Sequence, residues 1–232
     1  MKILKAGSAV LWMVMCSLSF FASSFLHAEE KTYALKSSLP NTISGWATED
    51  ALEQVFAIKV QRLASHEVWL ATFTSFNDPV TAADGTLDVE VRKEKFSIPL
   101  SAGATFRQLV DAMSEKLTGL QITVYDTFDG SVRPLRLVIT DKRRGKHSNV
   151  PGAGKDSNIV FKSTLTEFLN ANFRMTVEGL NSAIFMNGEM IYRSDNVISD
   201  LVPGVVFKLN AEDPTHLAIL RVVHDSSTAC GR

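Results

Sequence analysis

Apolar and polar positions alternate in short runs along most of the chain. Leu87, Val89 and Val91 alternate with Asp88, Glu90 and Arg92, the period of a strand with one buried face. Asp84-Gly85 marks a turn before this run, and Phe96-Ser97-Ile98 supplies its hairpin partner. Val55–Val60 and Glu67–Phe73 carry β-branched and aromatic residues at strand length. The same reading predicts strands at Gln121–Tyr125, Leu135–Ile139, Ile159–Phe161, Ala183–Met186, Val205–Leu209 and Leu217–Val223. Pro134 marks an edge or a strand start. Asn187-Gly188, between Phe185 and Ile191, is the strongest hairpin signal, because both turn positions need positive φ.

Two stretches keep a helical period instead. Phe106, Leu109, Val110, Met113 and Leu117 form a stripe behind Thr105 as N-cap, with Gly119 as the stop. A second helix is expected from about Ser163 to Phe173, with Ser163 and Thr164 competing for the cap and Leu165, Phe168 and Leu169 buried. The pattern predicts a β-rich α+β fold of two small, sandwich-like β domains, each with one short helix.

Residues 1–28 change the picture. Lys2 and Lys5 precede an uncharged apolar stretch from Ala9 to Phe25, and Leu26-His27-Ala28 ends in a small residue before Glu29-Glu30. Those three parts, in that order, describe a cleaved Sec-type signal peptide. Residues 29–51 are small and polar enough to read as a linker. The expected organisation is then a β domain from 52–78 plus 163–226, an inserted β/α domain at 79–162, and a tail at 227–232. Export implies a periplasmic, secreted or cell-surface protein, with no membrane contact once the signal is removed.

Composition excludes several classes. The chain has 232 residues, 24 Lys plus Arg against 25 Asp plus Glu, and a formal charge of -1. That balance gives no chain-wide basic footprint for nucleic acid. Hydrophobic residues at 45% and charged residues at 21% describe a folded chain. Only two Cys occur, Cys16 inside the expected signal peptide and Cys230 near the end, so neither a disulfide framework nor a four-Cys zinc site is expected.

Candidate chemistry thins on inspection. Gly152-Ala153-Gly154-Lys155-Asp156-Ser157 resembles a phosphate loop, but Asn149 stands where the first Gly belongs and Asp156 where a magnesium-binding hydroxyl belongs. Lys142-Arg143-Arg144-Gly145-Lys146-His147 is the one dense basic run. It could bind a polyanion such as lipopolysaccharide, DNA or a sulphated glycan, but no aromatic residue interleaves, and a solvated turn is the stronger reading. His66, His147, His216 and His224 show no metal-ligand spacing. His224-Asp225 stands near a Ser pair but without a nucleophile elbow. No catalytic residue, cofactor or metal is expected. Trp46 and Trp69 could stack on sugars, with core burial the stronger reading for Trp69.

Taken in order, several segments resemble the middle of the bacterial flagellar hook-associated protein 2 family, the filament cap proteins. Phe56–Ala64 resembles a strand ending in V-x-x-L-A, and Gly85–Val91 with Phe96–Ile98 resembles a G-x-L-x-I-x-V … F-x-I hairpin. Ala104–Leu109 resembles a T-L-x-x-L helix, and Leu135–Thr140 up to Gly145 resembles R-L-x-L-T-S-x-x-T-G. The most specific stretch comprises Ala183–Gly188, Ile191–Asn196, Val197–Asp200 and Pro203–Leu209. It resembles A-x-F-x-V-N-G-x-x-I-x-R-S-S-N-x-V-S-D-V-I-P-G-V-x-L-x-L. The resemblance spans about residues 52–225 and implies a non-catalytic protein built from the cap protein's outer β domains. It implies a flagellar partner, such as a flagellin-like, hook or motor component, or a second copy. A surface adhesin or glycan-binding module is the alternative. Asn187-Gly188, Ser194–Asn196 and Pro203-Gly204 read as turn determinants, not as a ligand site.

Overall fold

A computed structural model describes residues 32–146, 157–165 and 173–225. The expected signal peptide, the phosphate-loop-like stretch up to Asp156, most of the expected second helix and Cys230 lie outside them. Within them the fold is β-rich, with fifteen strands and one helix.

Antiparallel strands build one core from the two ends of the described chain. β1 (Tyr33–Ser37), β15 (Asp213–His224), β3 (Gln54–Arg62), β11 (Ser182–Met186) and β12 (Glu189–Arg193) form a five-stranded sheet in that spatial order. β13 (Val197–Val202), β14 (Val205–Leu209) and β2 (Ile43–Ala47) form a three-stranded sheet. Alternation places Phe56, Ile58 and Val60 on one buried face beside Ala218, Leu220 and Val222. Phe207 of β14 meets Phe56 edge-to-face, with ring centroids 5.4 Å apart. The β11–β12 turn has the backbone its sequence demands, with φ of 50° at Asn187 and 99° at Gly188.

The second core lies between the crossings of the chain. β4 (His66–Phe73), β7 (Leu120–Asp126), β8 (Leu135–Arg144) and β10 (Arg174–Val177) form one sheet, in the order β10-β4-β8-β7. β5 (Gly85–Val91), β6 (Glu94–Leu100) and β9 (Ile159–Ser163) form another, with β5 central. Helix α1 (Phe106–Lys116) buries Phe106, Leu109 and Met113. Its Thr105 accepts from the Gln108 N–H while the Gln108 side chain accepts from the Thr105 N–H, a capping box worth about 1 kcal/mol. Phe106 stacks on Phe73 with centroids 3.9 Å apart, which ties the helix to β4.

Two expectations change. Residues 33–37 and 43–47, read as linker, are strands, because β1 pairs along β15 and β2 along β14. β4 was expected with the terminal strands, yet Ala71 and Phe73 pack into the core that also holds Leu87, Leu109 and Leu137. The inserted unit therefore starts at β4, and β10 closes it by pairing with β4. The expected second helix lies outside the described residues beyond Leu165; Ser163, expected as its cap, ends β9, and its hydroxyl accepts from the Leu165 N–H at 2.9 Å.

Candidate interaction site

The chain crosses between the two cores at 63–65 and again at 178–181, and polar groups tie the crossings together. The Ser65 N–H donates to the Leu180 carbonyl, and the Leu180 N–H donates to the Ser65 hydroxyl, both at 2.9 Å. Asn196 clamps Ala64 from both sides, accepting from its N–H at 2.6 Å and donating to its carbonyl at 3.0 Å. Ser194–Asn196 thus fastens a long-range contact as well as its own turn.

Gly145 sits at the centre, with φ +74°. Its N–H donates to the Ser65 carbonyl, and its own carbonyl accepts from Asn158 and Arg92. A Cβ there would lie 2.6 Å from Asn181 Oδ1 and 2.7 Å from the Ser194 Cα. Gly145→Ala is expected to lower the melting temperature clearly. Gly103→Ala, at φ +76° with nothing within 4 Å of the added Cβ, is expected to cost only the roughly 1–3 kcal/mol of backbone strain. Thermal unfolding of the two variants measures the difference.

Two buried acids anchor this junction. Asp141 is fully buried and pairs with Arg92 at 2.7 Å. Arg92 stands in the β5–β6 turn at φ 49°, followed by Lys93 at φ 75°, a backbone that non-glycine residues adopt at a cost. From there its guanidinium reaches the carbonyls of Arg143, Arg144 and Gly145 at 2.9 to 3.1 Å. Glu67, also buried, accepts from the Trp69 indole N–H at 2.7 Å, the Asn158 N–H at 2.6 Å, the Ile159 N–H at 3.2 Å and the Ser157 hydroxyl. That donor set suits a carboxylate, which is acceptor-only.

Most of the basic run is engaged by the protein. Arg144 pairs with Asp195 at 3.2 Å, Lys146 with Glu178 at 2.6 Å, and Lys142 donates to the Thr118 carbonyl at 2.8 Å. His147 lies outside the described residues. A cleft of about 420 Å³ opens beside this run, lined by His66, Arg92, Arg143, Arg144 and Asp195 among others. Burial opposes ionisation of Asp195, but the N–H groups of Asn196 and Val197 and the Arg144 guanidinium outweigh it and hold the carboxyl below its usual value of 3.8. A carboxyl depressed on folding stabilises above its unfolded value, and that stabilisation is lost as pH falls through the folded one. Acid titration should therefore weaken the junction from about pH 4 downward, and Asp195→Asn should flatten that part of the stability-versus-pH curve.

The other residues singled out from the sequence scatter. Trp69 stacks on Phe173 at 5.2 Å and meets Phe161 edge-on at 5.3 Å, so its face is taken by the core. Trp46 is half exposed on the edge strand β2. His224 packs edge-to-face on Tyr33, and the Asp225 N–H donates to the Thr32 carbonyl; Ser226 and Ser227 lie outside the described residues. Among the described residues no three His, Cys, Asp or Glu side chains gather as a metal site. None of their helices is long and apolar enough to cross a membrane. One surface feature was not anticipated. The β7–β8 loop presents Phe128, 88% exposed, and Val132, 84% exposed. Asp126 and Asp129 brace this tip by accepting from the Phe128 and Ser131 N–H groups. Hydrogen bonds from the Ser131 hydroxyl and N–H hold the Asp129 carboxyl down at about 2.

This two-core arrangement matches solved structures along most of its length. The D2-D3 domains of the flagellar cap protein FliD from Escherichia coli superpose with a TM-score of 0.69 over 84% of this chain and 100% of that one, at 17% identity. The chain has the fold of a flagellar cap protein's D2-D3 domains. FliD from Pseudomonas aeruginosa PAO1 gives a TM-score of 0.63 at 19% identity, over 82% of this chain and 87% of that one. Against the longer Escherichia coli structure with domains D1-D2-D3, the TM-score is 0.67 at 18% identity, and the chain spans 56% of that protein. No family model and no curated protein sequence matches the chain. At 17–19% identity over most of the chain, the likeness is one of fold.

Proposed function

We propose that the protein is a non-catalytic exported component of a flagellar structure, acting through surfaces of its two β units. The observation that carries this reading is the superposition on the whole of a cap protein's D2-D3 pair. The ordered motifs from Phe56 to Leu209 support it independently of that superposition. A Sec-type N-terminus would deliver the chain to the periplasm or the cell surface. A filament in the periplasm or within a membrane sheath, its hook, or the motor would then be within reach. Its partner is a flagellin-like, hook or motor protein, or a second copy of itself. Co-fractionation of the tagged full chain with isolated flagella tests this. Enrichment with the flagella is expected; recovery in the remaining envelope alone, together with normal swimming of a deletion strain, overturns the reading.

The half-exposed Trp46 favours a second reading, a surface module that stacks on sugars. On that reading a glycan array shows binding that Trp46→Ala removes; on the flagellar reading it shows none that depends on Trp46.

A further inference from the structure

The cleft beside β8 gathers more positive charge than the junction consumes. Arg92 is 7% exposed in its side chain and pairs through Nε with Asp141 and through Nη2 with three carbonyls. Its Nη1 has no acceptor among the described residues. No buried side-chain nitrogen or oxygen there lacks a hydrogen-bond partner, so Nη1 is not sealed, and Arg92 lines the cleft. Arg143 contributes an exposed guanidinium without a side-chain partner among the described residues. His66 bonds the Asp141 carbonyl through Nδ1 at 2.8 Å, leaving Nε2 without a partner there. Lys142 and Arg144 complete the wall, and the opposing carboxylate, Asp195, is already held by Arg144.

We infer that this cleft is a binding site for a tetrahedral oxyanion, a phosphate or sulphate group, free or as an ester on a saccharide. A buried arginine fixed on four protein acceptors cannot swing away, so its Nη1 is a preorganised charged donor beside the exposed Arg143 guanidinium. The volume of about 420 Å³ accommodates one ester group with part of its sugar, not a polymer track. Nucleic acid is disfavoured, because no Phe, Tyr or Trp lines the cleft to stack a base and the chain's formal charge is -1. The basic run is thus partly structural and partly a ligand wall. The inference is independent of any flagellar role.

Calorimetry on the purified full chain tests it, with inorganic phosphate, glucose 6-phosphate, glucose 6-sulphate and neutral glucose as probes. At least one anionic probe should bind while glucose does not, with affinity falling as salt rises from about 50 to about 300 mM. Arg143→Gln should weaken binding about tenfold with unchanged near-ultraviolet dichroism, since its side chain is exposed and holds nothing. Lys208→Gln, on β14 in the other core, should leave binding unchanged. Binding of inorganic phosphate as tight as the ester assigns the site to the free anion, and tighter ester binding assigns it to a modified sugar. Absence of binding by every anionic probe, equal loss in the Lys208→Gln variant, or binding of a single-stranded oligonucleotide alone overturns the inference.

Discussion

Asp141→Ala should destabilise the protein by about 3–5 kcal/mol, the range found when one partner of a buried ion pair is removed. The Arg92 guanidinium would remain at 7% exposure with its opposite charge gone, and the Arg143 N–H would lose its Asp141 acceptor. For a chain of this size the loss corresponds to roughly 6–20 °C in melting temperature. Asp141→Asn keeps an acceptor for that N–H and should cost less. The double variant Arg92→Met with Asp141→Leu should be less destabilised than the sum of the two single losses, because neither charge is then left alone. Thermal and denaturant unfolding of the full cycle measures the coupling. Single losses under about 1 kcal/mol would mean that the pair is screened by water and does not hold the junction.

Glu67→Ala should be comparably severe, and its damage should be local. The substitution strips the acceptor from the Trp69 indole and the Asn158 N–H, while the Ser157 hydroxyl keeps the Ile159 carbonyl. The orphaned Asn158 N–H, which is buried, costs about 1–3 kcal/mol, and the half-buried Trp69 indole less. Glu67→Gln brings an amide that donates towards groups that already donate, so it should rescue only part of the loss. Hydrogen exchange is the discriminating measurement. The Asn158 amide should lose protection much more than amides in β3 and β15, which belong to the other core. A uniform rise across both cores would contradict the assignment of Glu67 to this one docking contact.

The strands that announce themselves carry their information locally. Leu87, Val89 and Val91 show the period of a pleat, and Thr105 with Gln108 shows a helix start within four residues. Asn187-Gly188 names its own turn type. β1 and β2 do not, because Tyr33–Ser37 and Ile43–Ala47 become strands only through β15 and β14, more than 150 residues further on. A run of Ser, Pro, Asn and Gly around them reads as linker when the partner is out of view. β10 is exposed at all four positions and so has no buried face to betray it. β4 was legible as a strand but not as a member of the inserted core. Its membership depends on Phe73 meeting Phe106 and on the crossing at Ser65, and neither is a local signal.

The junction was the least legible part. Arg92 and Asp141 are 49 residues apart, one in a turn and the other in mid-strand. Nothing in Val91-Arg92-Lys93-Glu94 distinguishes it from an ordinary solvated hairpin end. The basic run drew attention through charge density, yet its role follows from carbonyls and carboxylates that fold up against it. The ordered motifs resembling the cap-protein family sample both cores, and the fold they imply is shared with the cap protein's solved D2-D3 domains.

Photocrosslinking in living cells tests the flagellar reading most directly. A photoreactive phenylalanine analogue at Phe128, the most exposed aromatic of the braced β7–β8 tip, would be activated in intact cells and its adducts identified by mass spectrometry. The account predicts adducts with a flagellar filament, hook or motor protein, or with a second copy of this chain, that disappear in a strain without flagella. Adducts confined to other envelope proteins and unchanged in that strain would contradict it.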